Sequence, residues 1–342
     1  MLEIARAKTE AAPRQDQLIQ IATAHWMSRI LYVAAEMNLA ERLAEGPRTA
    51  KELAQSTATD APSLYRLMRA LASLGLFTED LSHQFSLTPL GEAFRTSTVR
   101  ATVLTLAGDL LTKSLEQLPY SVQTGRSGFE KAFGVPFFEY LANHPTDASM
   151  FSETMVGFHG SEPAAVAAAY DFSQFETIID VGGATGNLLA AILRRHPKPH
   201  GILFDLPHVV RDAPALIEAH RLADRITIEA GNFFESVPAA AGAYLLSHII
   251  HDWSEAHCLT ILGNCRRTMK PKSRLLIIET VLAPGDTPHL GKMLDMFMLA
   301  LFTGAQERTE PEYRGFLDKA GFRLTRVVPT ESAVSIVEAF PA

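Results

Sequence analysis

The chain has 342 residues, 47% hydrophobic and 20% charged, enough for about two domains and a sizeable core. A formal net charge of −7 argues against the basic face that a polyanion partner demands. The two cysteines, Cys258 and Cys265, stand seven apart in a predicted helix and read as buried thiols, not as a disulfide or metal pair.

In chain order, the first residues, Met1 to Lys8, are mixed and charged and lack a signal-peptide pattern. No apolar run reaches the roughly 18 residues that span a bilayer, so a cytoplasmic location is expected. Residues 16–45 show apolar positions at helical spacing, among them Leu18, Ile21, Met27, Ile30 and Met37. Thr49 with Glu52 reads as a capping box for a short helix. Asp60 with Pro62 opens a second helix that runs to Leu74 and stops at Gly75. Leu76–Glu79 and Gln84–Leu87 are strand-like around a polar turn. Helix, turn, helix and a two-stranded wing describe a winged helix. Such a unit reads either as a DNA binder or as an assembly module, and the acidic chain favours assembly.

Residues 100–170 read as mostly helical, with loops at Ser127–Phe129 and Gly134–Pro136. The apolar surface of this section and of the first helix exceeds what the N-terminal part buries, which points to a homodimer, a close-packed monomer being the alternative. From Thr177 the pattern alternates between strands and helices. Strands are expected at Thr177–Val181, Gly201–Asp205, Ile226–Ala230, Ala243–Ile250, Leu275–Thr280 and Leu324–Val328, with a seventh at Ala333–Glu338. Helices are expected at Leu188–Arg195, Glu255–Met269 and Pro311–Ala320. This is an α/β pattern with a mainly parallel sheet, whose ligands bind beyond the carboxyl ends of the strands.

At the first such strand end stand Gly182, Gly183 and Gly186, which let the backbone turn tightly beside a ligand. Asp205 ends the second strand, where an acid accepts from both ribose hydroxyls. The spacing is not that of a dinucleotide fingerprint, and Ala184 stands where a middle glycine would be. No P-loop Lys-Ser/Thr follows, so a ligand with ribose and no pyrophosphate fits better, and S-adenosylmethionine (SAM) is the candidate. Gly231-Asn232-Phe233-Phe234 follows the third strand, where an adenine fits between an amide and a ring. Alone, Asn232 also reads as a turn residue and Phe233 as core.

Several ordered motifs then make the pattern specific: Asp180-Val181-Gly182-Gly183-Ala184-Thr185-Gly186, Phe204-Asp205-Leu206-Pro207, Gly231-Asn232-Phe233-Phe234, His251-Asp252-Trp253 and Glu307-Arg308-Thr309-Glu310-Pro311. Over nearly its whole length the chain resembles the SAM-dependent small-molecule O-methyltransferases of the plant caffeate and flavonoid type and their bacterial aromatic-tailoring relatives. The resemblance implies a Rossmann-like SAM methyltransferase domain with a mainly parallel seven-stranded sheet, preceded by an α-helical winged-helix dimerisation domain. It implies three parts: a dimerisation domain over 1–100, a helical connector over 101–170 that contributes to the acceptor pocket, and the catalytic domain over 171–342. It further implies that Gly182, Asp205, Leu206, Asn232, Phe233 and Ser247 hold SAM, with S-adenosylhomocysteine as product. Asn232 replaces the usual acid and Ser247 the plant lysine. No metal and no nucleic acid partner is expected.

His251 lies just past the fourth strand, at the ligand edge, and is the candidate general base for removing the acceptor's hydroxyl proton. A phenol with a pKa near 10 and a histidine near 6.5 differ by about 5 kcal/mol for full proton transfer, so the proton is shared as the C–O bond forms. Such a base needs an orienting carboxylate. Glu279 ends an apolar strand, where an acid is costly unless paired; Glu307 is promoted only by the resemblance. Asp252 reads as a flanking acid or as a helix N-cap. His248 is placed inside the fourth strand as structural or cofactor-adjacent, and His257 on the helix surface. Met298 and Phe302, with Phe151 and Met155, are implied to line an apolar acceptor pocket for a small aromatic ring. The competing readings are C- or N-methylation or a non-methylating reaction on the same fold, and a winged-helix ligand-sensing regulator.

Overall fold

The computed structural model describes residues 14–239 and 241–342; the charged segment Met1 to Lys8 lies outside them. The described chain divides into two compact units, one of residues 14–112 and 146–158, the other of residues 113–145 and 159–342.

In the first unit, a long helix, Arg14–Glu36, is followed by a short one, Leu39–Arg42. The single helix expected over 16–45 is thus broken, because Asn38 takes a left-handed conformation at φ 52°, which Asn tolerates better than most residues. Thr49 and Glu52 form the capping box, and Asp60 accepts the Ser63 N–H at 3.0 Å to open the helix Ala61–Ser73. The wing has three strands, β1 (Arg48–Thr49), β2 (Phe77–Glu79) and β3 (Gln84–Leu87), in the order β1-β3-β2. Leu53, Leu64, Met68, Leu71, Phe77 and Phe85 form the buried centre. The connector expected over 101–170 is divided between the units. The helix Pro145–His159 joins Ser97–Leu106 in the first, where the buried Thr154 hydroxyl reaches Ala101 O at 3.1 Å and Thr105 Oγ1 at 2.7 Å.

The second unit contains β4 (Thr177–Val181), β5 (His200–Asp205), β6 (Ile226–Ala230), β7 (Ala243–Ser247), β8 (Arg274–Glu279), β9 (Val281–Leu282), β10 (Arg308–Thr309), β11 (Phe322–Pro329) and β12 (Ser335–Pro341). Seven of these form one sheet in the order β11-β12-β8-β7-β4-β5-β6. The five strands β8 to β6 are parallel, and β12 and β11 are antiparallel additions. Alternation along each strand fills two cores: Ile178, Leu203, Leu245 and Ile278 pack on one face, and Ile179, Tyr244, Leu246 and Ile277 on the other. Cys258 and Cys265 are free thiols in the second core. Among the described residues, no helix is long and apolar enough to cross a membrane.

The chain runs outward from β4 to β6, then returns to β7 on the other side of β4. The carboxyl ends of β4 and β7 therefore flank the topological switch point, where open α/β sheets bind ligands. The expected loop at Ser127–Phe129 is instead the start of a helix, Gly128–Phe133, because Ser127 accepts the Glu130 N–H and caps it.

Candidate active site

The glycine turn leaves β4 with Gly182 at φ 74° and Gly186 at φ 89°. A Cβ on Gly182 would lie 2.5 Å from Ile249 Cδ1 and 3.4 Å from Phe233 Cε1, so only glycine lets the turn lie this close to both. Ala184 adopts φ 50°, a left-handed conformation that a Cβ makes costly. It is held there by Asp205, whose Oδ2 accepts the Ala184 N–H at 2.9 Å while Oδ1 accepts the Leu206 N–H at 2.7 Å. Burial pushes the Asp205 pKa up, against the pull of these N–H groups and of His208. Beneath the turn, Asp180 is 1% exposed, and neither of its carboxylate oxygens has a hydrogen-bond partner among the described residues. Burial, and then the Asp205 charge, push its pKa up to about 7.

Asn232 Oδ1 accepts the Phe234 N–H at 3.0 Å, closing a turn that presents Phe233. The buried Asn264 fixes that turn by donating to Phe233 O at 2.6 Å. Ser247 is the last, half-buried residue of β7.

These residues suit SAM on the structure's own terms. Gly182 lets the turn lie against Ile249 and Phe233 without a Cβ in the way, and Asp205 keeps free lone pairs for ribose hydroxyls.

After β7 the structure departs from the expected strand. The strand stops at Ser247, and His248 takes a left-handed conformation at φ 53°. A turn over Ile250–Asp252 follows. His248 is therefore outside the strand. Its Nε2 lies 2.6 Å from Glu162 Oε1, and its ring stacks on His159 with centroids 4.2 Å apart. Burial, then the neighbouring His248, push the His159 pKa down to about 4.

The turn carries His251, buried at 7% exposure. Its Nδ1 lies 2.7 Å from Glu307 Oε1, and its Nε2 lies 3.3 Å from Asp252 Oδ1. An ionised Glu307 can only accept, so Nδ1 donates to it. Burial opposes the charged ring, but Asp252, the Glu307 hydrogen bond and the Glu279 and Glu307 charges outweigh it and push the His251 pKa up to about 10. Burial pushes Asp252 up to about 6, against the pull of His251.

Glu279 sits differently from a ring partner. Its Oε1 accepts the backbone N–H groups of Ile250 at 2.6 Å and His251 at 3.1 Å, and Tyr313 donates its hydroxyl to Oε2. It holds the backbone of the turn while Glu307 holds the ring. Arg308, 2% exposed, donates to Ile250 O at 3.2 Å, and the Gln306 N–H donates to His251 O at 3.0 Å. Asp252 is not the cap of the next helix: Ser254 accepts the His257 N–H and opens Glu255–Thr268. His257 is exposed and its Nδ1 pairs with Ser254 Oγ at 2.9 Å.

Beside the turn runs a chain of rings. Phe302 stacks on Phe138 at 5.3 Å, Phe138 on Trp253 at 5.7 Å, and Trp253 meets Phe234 edge-on at 4.8 Å. Met298 is buried on the helix Leu290–Leu301 in this same unit. Phe151 and Met155 are half-buried on the helix Pro145–His159, in the first unit. Sequence reasoning missed Arg308, Tyr313 and Phe138, because their roles depend on long-range contacts with no local pattern.

The O-methyltransferase domain family matches residues 115–323, and the O-methyltransferase dimerisation domain matches residues 19–97. The chain belongs to the O-methyltransferase family. SAM is the methyl donor of this family. The chain is 42% identical over 334 residues to the phenazine O-methyltransferase PhzM of Lysobacter antibioticus, covering 97% of each. It is 32% identical to an 8-amino-8-demethylriboflavin N,N-dimethyltransferase of Streptomyces davaonensis, covering 90% of each. Among solved structures, it superposes with a TM-score of 0.81 and 31% identity on the neocarzinostatin O-methyltransferase NcsB1 in complex with SAM and 2-hydroxy-5-methyl naphthoic acid, covering 92% of this chain and 96% of that one.

Proposed function

We propose that this family member methylates a hydroxyl of a small aromatic acceptor, with His251 as general base. One observation carries the reading: a buried imidazole at the ligand edge has one nitrogen committed to Glu307 and the other turned toward Asp252, 3.3 Å away. When bound, SAM supplies an electrophilic methyl on a sulfonium. Glu307 fixes the ring, so Nε2 is the nitrogen that takes the hydroxyl proton as the oxygen forms its bond to the methyl carbon and the carbon–sulfur bond breaks. Asp252 and Glu307 then flank the imidazolium and stabilise it. Asp205, Gly182, Leu206, Asn232, Phe233 and Ser247 are the residues we assign to SAM, and Met298, Phe302, Phe151 and Met155 those we assign to the acceptor.

The N,N-dimethyltransferase relative favours a second reading, in which the acceptor atom is an aromatic amine. For assembly, we propose a homodimer: the chain carries the family's dimerisation domain, and the helix Arg14–Glu36 leaves Leu18, Ile19, Ile21 and Trp26 exposed. We place the protein in the cytoplasm and assign it no nucleic acid partner.

The experiment is incubation with SAM and matched panels of hydroxylated and amino-substituted aromatics, read by mass spectrometry. A mass gain of one methyl group on a hydroxylated acceptor supports the first reading. Gain only on amines selects the second, and tight SAM binding without any methylated product overturns both.

A further inference from the structure

We infer that His159, Glu162 and His248 form a binding site for a divalent ion of the zinc type, beside the active-site turn. Each residue offers one ligand atom, and the three atoms lie within 4.8 Å of one another. They come from two separate stretches of the chain, the segment 159–162 and the residue after β7, and are brought together by folding.

The surroundings are those of a built pocket. Glu162 is 9% exposed, and His159 and His248 are half-buried. His248 reaches its position through a left-handed backbone conformation at φ 53°, fixed by its N–H donating to Ile278 O at 3.1 Å. A non-glycine residue rarely holds that conformation without a local reason.

The donor set selects the ion. Two imidazoles and one carboxylate suit zinc and its neighbours, whereas magnesium and calcium take oxygen ligands. Bonds of about 2.1 Å in a tetrahedral site separate the ligand atoms by roughly 3.4 Å. The His248–Glu162 contact of 2.6 Å therefore opens by less than 1 Å as the ion replaces the shared proton, and His159 turns inward. Three protein ligands leave the fourth position to water or to an oxygen of a small molecule. The His248 and His251 ring centroids are 5.3 Å apart, so the ion is a neighbour of His251.

This inference does not depend on the methyl-transfer reading, and its test needs no turnover. The full-length protein is stripped with a chelator and titrated with Zn²⁺ by calorimetry and with Co²⁺ by visible absorption. One Zn²⁺ per chain and intense tetrahedral Co²⁺ bands are expected. Glu162→Gln, which keeps a hydrogen-bonding group beside His248, and His159→Gln each weaken Zn²⁺ binding at least ten-fold, with SAM binding and circular dichroism reporting that each variant is folded. Should one variant fail to fold, the other and the parent's Co²⁺ spectrum decide. Absence of stoichiometric binding, Co²⁺ bands of the octahedral type, or unchanged affinity in the folded variants overturns the site.

Discussion

His251 Nδ1 and Glu307 Oε1 lie 2.7 Å apart, 56 residues apart in the chain, with Glu307 only 3% exposed. The proposed base is thus held by an acid whose position depends wholly on tertiary structure. His251→Gln keeps the buried volume and removes the base. It should lower turnover by about 10²–10⁴-fold while the SAM dissociation constant changes less than about three-fold. Calorimetry with single-turnover assays checks this; near-normal turnover refutes the assignment.

The ring's charge makes a prediction about pH. In the free protein the His251 pKa is raised from 6.5 to about 10, so the imidazolium is the resting form at neutral pH. A base acts only when deprotonated, so kcat/KM should rise with pH toward that value. Glu307→Gln keeps an amide oxygen that can accept from Nδ1 but removes a charge that raises the pKa, so its limb should shift to lower pH and level off at a lower rate with the same acceptor. The stability consequence has the opposite sign. A raised folded pKa stabilises the fold below about 6.5, and that contribution fades as pH rises through about 10. Melting curves of the parent between these values should fall more steeply than those of Glu307→Gln.

Glu279 should behave as a structural acid. Glu279→Ala strands the Ile250 and His251 N–H groups and the Tyr313 hydroxyl, at about 1–3 kcal/mol for each buried group left unpaired. Tm should fall by roughly 2–4 °C for each kcal/mol lost, together with activity. Glu307→Gln should lose activity with a smaller change in Tm. Calorimetric scans beside turnover separate the two.

Ala184 should mark the limit of what the cofactor turn tolerates. At φ 50° an alanine bears about 1–2 kcal/mol of left-handed strain. Ala184→Gly relieves it but loses about 0.5–1 kcal/mol to chain entropy, so its stability and SAM affinity should stay close to the parent's. Ala184→Val places a β-branched residue at that φ, and should lower Tm and weaken SAM binding at least ten-fold.

Phe302→Ala removes one end of the ring chain that runs through Phe138 to Trp253. If these rings hold the acceptor, KM for the acceptor should rise about ten-fold or more while KM for SAM stays within about two-fold. Equal effects on both would assign Phe302 to packing.

The centre of the sheet was legible because β4, β5 and β8 are apolar runs with a glycine or an acid at the end. The glycine turn and Asp205 were legible for the same reason. The end of β7 was not: His248-Ile249-Ile250 continues the apolar run, and only its packing shows that the chain turns there. Asp252 and Ser254 are both good caps by composition, and only the hydrogen bond to His257 distinguishes them. Glu307 has no local signal, since its burial is created by contacts with Arg308's neighbourhood and with His251, far away in the chain. Asn232, expected against the cofactor or as a turn residue, closes its own turn through the Phe234 N–H, which is the second of those readings.

One small element has a wider consequence. The parallel pair β9–β10 joins Val281 to Arg308 and Leu282 to Thr309, so the residues after Glu279 and after Glu307 are fastened side by side. Everything between, residues 283–306, is a loop in the topological sense, closed at its base by a two-rung ladder. That excursion carries Met298 and Phe302, while the side chains of the acids at its base are engaged outside it, with the turn that holds His251. Two of its members reach back: the Asp295 carboxylate accepts the Glu307 N–H at 2.8 Å, and the Gln306 N–H donates to His251 O at 3.0 Å. Such an arrangement behaves as a cassette: if Met298 and Phe302 line the acceptor site as proposed, its sequence can drift toward new acceptors while the ladder and Asp295 keep the acid–imidazole pair in register.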